Sequence, residues 1–278
     1  MNKNYGFSYD LEKSHISDED YVYGAFSPIC IATIPEIERP SYLPKGEVQR
    51  GKEDMMDCAT RGPLNILETK FNWLNKKKML SPANHEWLVD KYLNPETDGI
   101  EFSDAFPAIK SGTTKDGNSL KAPLQAIHDH GLIPKCLLPL EPWMTFDDYH
   151  DKGRITGEMN KIGREFKRRF PIRYDKVYRV HFGELYKEDM LDLAGYAWPA
   201  PVDGVYHRTD GTLNHVFAGI SNPMHLVFDN YIDESDGDFI KRLAPDYDLL
   251  EYGYRLYVSE NSSPRRTFCE MLQDLLNL

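Results

Sequence analysis

Hydrophobic patterning changes period at about residue 171, and this change constrains the fold more than any other feature of the chain. Before it, apolar residues recur at helical spacing between start and stop signals. Ser81-Pro82 reads as an N-cap followed by proline at the first helical position, and Trp87, Leu88 and Tyr92 then share a face. Ser119 opens a second helix with Leu120, Leu124 and Ile127 on one side. Pro123 falls in its first turn, where a missing N–H costs little, and Gly131 stops it. A third runs from about Glu158 to Phe170 on a stripe of Met159, Ile162, Phe166 and Phe170, with a basic opposite face that reads as solvated. After the change, short runs of aromatic and β-branched residues predict strands at 176–182, 213–220, 224–231 and 252–258. Turn signals stand between them at Thr209-Asp210-Gly211, Ser221-Asn222-Pro223 and Asp236-Gly237. Helices first and strands second is the segregated order of an α+β protein with two subdomains. Behind Ser263-Pro264, Phe268, Met271, Leu272, Leu275 and Leu276 predict a C-terminal helix that docks on the body of the protein or on a partner.

With 278 residues and 41% hydrophobic content, the chain can bury a substantial core. Its 33 Lys and Arg against 44 Asp and Glu give a net charge of −11. That argues against nucleic-acid binding, which needs clustered positive charge at the phosphates. No stretch approaches the roughly 20 apolar residues of a membrane span, and the acidic N-terminus has no signal-peptide run. A cytoplasmic protein without membrane contact is therefore expected. The four cysteines, Cys30, Cys58, Cys136 and Cys269, are far apart, which excludes a disulfide-dense scaffold and any CxxC motif.

Position separates the four thiols. Cys30 lies between isoleucines, Cys136 among apolar neighbours in GLIPKCLLP, and Cys269 beside the C-terminal stripe, so packing is expected for all three. Cys58 stands where a polar loop becomes an amphipathic helix with Leu64, Leu67, Phe71 and Leu74 as its stripe. A helix N-terminus stabilises a thiolate, the nucleophilic form, through its unpaired N–H groups. A base must then lie within reach. His128 and His130 form an H-x-H without a third ligand, and the acidic run Asp233, Glu234, Asp236, Asp238 lacks the spacing of a calcium loop, so no metal is expected. His215 differs, because it lies inside the apolar stretch 213–219. A polar ring there must be hydrogen-bonded, as a core histidine or as part of a site. The next strand ends in Phe228-Asp229-Asn230-Tyr231, which offers an acceptor able to fix the tautomer of the ring.

This constellation resembles the papain-like cysteine peptidases. Gln49 precedes Cys58 as the family's oxyanion glutamine precedes its helix-starting cysteine, and GNSLKAPLQAIHDHGLIPKCLLP resembles the family's helix leading to a G-[LI]…P segment. LNHVFAGI resembles the strand of the catalytic histidine, and FDNY with the later YGYRLYV resembles the family's N-S-W-G…G-Y ending. The matches fall in order over roughly residues 42 to 258, and the QRG…DC form is similar to peptidase-like proteins of bacteriophage genomes. The resemblance implies an α+β, papain-like fold: an N-terminal helical subdomain and a C-terminal antiparallel β-rich subdomain with the active site in the cleft between them. On this reading residues 1–41 are an N-terminal extension and 42–170 carry the nucleophile. Residues 171–260 carry the histidine, and 261–278 form the C-terminal helix.

The implied activity is hydrolysis of peptide or amide bonds in a peptide or protein substrate by Cys58 and His215, without a cofactor. Gln49 would assist at the oxyanion. Asp229 or Asn230 is the third member: matching the aromatic of the family motif selects Asp229, and matching its amide selects Asn230. Asp116, Gly117 and Asn118, Trp198 near the histidine subdomain's loops, and Asn214 beside the histidine are the implied substrate-binding positions. The chain also departs from the family. C-G-S-C-W is absent, three extra residues separate Gln49 from Cys58, Pro63 falls five residues after the cysteine, and residues 1 to 40 show no typical inhibitory propeptide. These departures motivate the alternative of a non-catalytic papain-like module, for example a virion component, with the C-terminal helix as its contact.

Overall fold

Local start and stop signals set the helices of the first half. The computed structural model describes residues 6–15, 31–46, 48–195, 202–207, 213–221, 225–231 and 239–261. Its helices are α1 (Tyr9–His15), α2 (Cys58–Lys76), α3 (Pro82–Tyr92), α4 (Ala105–Ser111), α5 (Lys121–His130), α6 (Phe146–Tyr149), α7 (Gly157–Arg169) and α8 (Phe182–Glu188). Pro82 opens α3, the Ser119 hydroxyl accepts from Ala122 N–H at the start of α5, and Gly131 ends α5 at a φ of 71°. Thr156, which the sequence reading did not single out, caps α7 by accepting from Met159 N–H. Helix α2 begins at Cys58, so Pro63 lies inside it and removes one backbone bond.

Helix α2 is held on all sides, which makes that loss tolerable. The leucine and phenylalanine stripe predicts an amphipathic helix, yet every residue from Cys58 to Leu74 is buried. Most of its polar residues are admitted because they are paired, although the Thr60 hydroxyl and the Trp73 indole nitrogen are buried without a partner among the described residues. Arg61 meets Asp57 and Asp104, both at 3.0 Å, and Lys70 meets Asp189 at 2.6 Å. Glu68 accepts from Phe102 N–H at 2.8 Å, and the Asn72 carbonyl oxygen accepts from Ile100 N–H at 2.7 Å. Rings of α2, α3 and α7 (Phe71, Tyr92, Phe166), with Phe102 and Phe170, pack edge-on or tilted with centroids 5.2–5.5 Å apart.

The strands are β1 (Leu93–Asn94), β2 (Gly99–Ile100), β3 (Ile172–Tyr178), β4 (Leu191–Gly195), β5 (Val205–Tyr206), β6 (His215–Ser221), β7 (Leu226–Phe228), β8 (Ile240–Leu243) and β9 (Tyr252–Val258). The first two form a small antiparallel pair, and the rest make one sheet in the order β3-β9-β4-β6-β7-β8-β5. Its pairs are antiparallel except β5 with β8, which is parallel. The strand expected at 176–182 is displaced. All seven residues of β3 pair with β9, from Ile172↔Val258 to Tyr178↔Tyr252, and Phe182 instead begins α8. Pairing with a partner strand, rather than local composition, sets the ends. Strands β4 and β8 were not anticipated either.

Cys136 departs from expectation: it is exposed on a turn, and Leu138 takes the buried place beside it. Cys30, Cys269 and the expected C-terminal helix from 262 onward lie outside the described residues. Among the described residues no helix is long and apolar enough to cross a membrane.

Helix α2 lies tightly on the sheet at Gly62. A Cβ there would strike the Asp192 carboxylate oxygen and come within 2.8 Å of Val216 Cγ1. Gly62→Ala is therefore expected to cost about 1–3 kcal/mol by overpacking, read as a lower urea midpoint at unchanged slope.

Candidate active site

Register decides which side chains meet at the start of β6. His215 is the first residue of that strand, opposite Gly195 of β4. Ala218 of β6 pairs with Phe228 of β7, and continuing this register sets Asp229 opposite Phe217 and Asn230 opposite Val216. Side chains alternate along a strand, so Asp229 shares the face of His215 and Asn230 turns to the face covered by α2. The hydrogen bonds follow. His215 Nε2 lies 2.8 Å from Asp229 Oδ1, with both side chains buried, whereas Asn230 Oδ1 accepts from Asn65 Nδ2 of α2 at 2.7 Å. The Tyr231 ring packs against His215 with centroids 5.1 Å apart.

Cys58, the first residue of α2, reaches the same strand end: the Val216 N–H donates to its sulfur. One turn on, Gly62 abuts Val216, which fixes how closely helix and strand approach. The helix N-terminus was expected to favour the thiolate. Here burial pushes the thiol well above its ordinary value, and the carboxylates of Asp229, Asp57 and Asp54 push it further, outweighing the Val216 donor. Asp57 is itself fixed by the Tyr149 hydroxyl at 2.7 Å and by Arg61. Cys58 is 1% exposed.

Gln49 is buried at the edge of this group. Its Nε2 donates to the Tyr231 hydroxyl at 2.7 Å and to Asp54 Oδ1 at 3.1 Å. Neither Asp54 nor the Tyr231 hydroxyl was singled out as a partner in the sequence; an acid inside the lengthened loop was the available signal.

Residues 6–8 run across the positions implied to bind substrate: Asn118 N–H donates to Gly6 O at 2.9 Å, Ser8 N–H to Asn118 O at 2.8 Å, and Phe7 N–H to Asn214 O at 3.4 Å. Phe7 pairs in parallel with Asn118 and is 2% exposed. Gly6 and Gly117 touch so closely that a Cβ on Gly117 would enter the Gly6 backbone, and a Cβ on Gly6 would come within 2.5 Å of the Met56 carbonyl carbon. Helix α1 anchors the segment. The buried Glu12 carboxylate accepts from Leu120 N–H and from the Tyr252 hydroxyl, both at 2.6 Å. Thus Asn118 and Asn214 meet one extended segment, Gly117 shapes the turn beneath it, and Asp116 is exposed at the tip. Trp198 lies outside the described residues.

Known proteins were compared with this arrangement. No protein-family model matches the chain, and no curated protein matches it in sequence. Solved structures do. Xylellain, a cysteine protease from Xylella fastidiosa, is similar over 94% of this chain and 98% of its own, with a TM-score of 0.56 at 12% identity. A stem bromelain precursor is similar over 93% of this chain and 78% of its own (TM-score 0.53, 14% identity), and procathepsin B S9 from Trypanosoma congolense over 91% and 86% (TM-score 0.51, 10% identity). At these identities the likeness is one of fold: the chain has the α+β, papain-like fold of these cysteine proteases.

Proposed function

We propose that this chain is a cysteine peptidase or amidase acting through Cys58, His215 and Asp229. The observation that carries the reading is the buried 2.8 Å contact of His215 Nε2 with Asp229 Oδ1 at a strand end whose next N–H donates to the Cys58 sulfur. Asp229 fixes the ring so that Nδ1 is the nitrogen available to the thiol. That nitrogen takes the Cys58 proton, and the sulfur attacks the substrate carbonyl carbon, whose π electrons move to oxygen. The oxyanion is met by the Cys58 backbone N–H and the Gln49 amide. Its collapse breaks the C–N bond, and the imidazolium gives its proton to the departing amine. Water, deprotonated by His215, then attacks the thioester, and the C–S bond breaks to return the thiol and release the acid.

In this form the enzyme is latent. Residues 6–8 fill the ground a substrate strand would take, and Cys58 is itself buried, which favours its thiol form. That burial is also what favours the second reading, a non-catalytic module. The two part on what happens when the segment is loosened by Phe7→Ala: the peptidase gains hydrolysis of an N-acyl dipeptidyl aminomethylcoumarin, and the module stays inert.

The third member is tested in that opened protein. Asp229→Asn is expected to lower kcat by about 100-fold or more, because the ring loses the carboxylate that fixes its tautomer. Asn230→Ala is expected to keep kcat within about threefold while costing about 1–3 kcal/mol of stability, since Asn65 is left with an unsatisfied donor. Rates and thermal unfolding of the two variants read this directly, and equal kcat losses would assign the role to neither residue alone.

A further inference from the structure

The residues that lengthen the loop between Gln49 and Cys58 do not carry the glutamine away, because the loop closes on itself. Gly51 N–H donates to Glu53 O and Met55 N–H to Gln49 O, both at 3.1 Å, and Arg50 pairs with Asp54. Asp54 then gathers three donors. Its Oδ1 accepts from Met56 N–H at 3.0 Å and from Gln49 Nε2 at 3.1 Å, and its Oδ2 accepts from the Tyr231 hydroxyl at 2.5 Å. Gln49 Nε2 also donates to the Tyr231 oxygen at 2.7 Å. These bonds fix the orientation of the carboxamide, since turning it over would set its oxygen against a carboxylate oxygen. Two of the groups so held adjoin the residues proposed to react. Met56, at a φ of 54°, stands two residues before Cys58, and Tyr231 packs on His215.

We propose that Asp54 is a positioning residue of this site, holding the Gln49 amide, the Tyr231 phenol and the Met56 turn as one unit on the oxyanion side. It touches no reacting atom. When an oxyanion forms, it replaces the Tyr231 oxygen as acceptor of that Nε2 hydrogen, while the bond to Asp54 keeps the amide in place. A carboxylate suits this task and an amide does not: three donors converge on two oxygens, and an Asn side chain would offer one acceptor and present its NH₂ to a hydroxyl that already receives Gln49. The inference rests on the peptidase reading above.

The test uses full-length protein carrying Phe7→Ala, with Asp54 or with Asp54→Asn. Hydrolysis of the dipeptidyl aminomethylcoumarin reports acyl transfer. Iodoacetamide alkylation, followed by the mass of the Cys58 peptide across pH, reports the thiol without needing an oxyanion. The charged and titratable groups acting on the sulfur are Asp229 from the sheet side, itself bonded to His215, with Tyr231 beside them, and Asp57 and Asp54 from its own loop. Asp54→Asn removes one of these negative charges. Expected are a kcat lower by about 10- to 100-fold with KM within about threefold, and an alkylation midpoint moved to lower pH. A merely structural residue would slow both reactions together, and that result, or an unchanged kcat, overturns the proposal. Tyr231→Phe removes one donor without changing charge; a smaller kcat loss with the alkylation midpoint in place is expected, and no loss in either variant overturns the assignment. If the Phe7→Ala protein with Asp54 intact neither hydrolyses nor alkylates at Cys58, the peptidase reading itself has failed.

Discussion

Phe7→Ala is expected to raise peptide hydrolysis by about 10- to 100-fold over the unaltered chain. The side chain is 2% exposed and belongs to the main hydrophobic core, so truncating it removes much of what holds residues 6–8 in place. Full burial of a phenylalanine stabilises by about 1.5–3 kcal/mol relative to exposure, and each 1.4 kcal/mol is about tenfold in the open fraction. The remaining anchors set an upper limit on release, because Glu12 still bonds Leu120 and Tyr252. Ile37→Ala is the control: Ile37 is 90% exposed and its loss is expected to leave the rate unchanged. A Phe7→Ala protein with wild-type activity and unchanged reagent access would mean that the segment does not gate the site.

In the same opened protein, Cys58→Ala is expected to lower hydrolysis by at least about 10⁴-fold, since the residual activity of a site without its nucleophile comes only from binding and oxyanion stabilisation. Cys136→Ala is expected to leave it unchanged. The exposure of Cys136 makes this comparison informative, because a small alkylating reagent reaches Cys136 readily while Cys58 lies buried. Labelling therefore has to be read residue by residue. Loss of activity with Cys136→Ala, or its survival in Cys58→Ala, would move the chemistry elsewhere.

Much of this arrangement was legible in the sequence, and its gaps have physical causes. The helices bounded by Pro82, Ser119 and Gly131 could be read locally because their caps are encoded within a few residues. The position of Cys58 at a helix start could be read for the same reason. Strand ends could not: β3 is set by seven pairings with β9, a strand some eighty residues away, and local composition misplaced it. The choice between Asp229 and Asn230 is likewise a matter of register, which depends on how β7 lies against β6. The burial of α2 on all sides was hidden because its polar residues look solvated until Asp104, Asp189 and Phe102 are seen beside them. The N-terminal segment was the least legible. Gly6-Phe7-Ser8 carries no motif, and its placement follows only from the backbone groups of Asn118 and Asn214 that it meets. The thiol shows the reverse lesson: the helix N-terminus that singled out Cys58 is real, yet burial and three nearby carboxylates reverse its expected electrostatic effect.

The central claim is that Cys58 is a nucleophile activated by His215, and covalent capture by a peptidyl epoxide tests it most directly. Full-length Phe7→Ala protein is treated with the reagent, and the adduct is located by peptide mass, with and without His215→Ala. The account predicts one adduct per chain, on Cys58, that disappears when His215 is replaced. An adduct confined to Cys136, or a Cys58 adduct formed equally fast without His215, would contradict it.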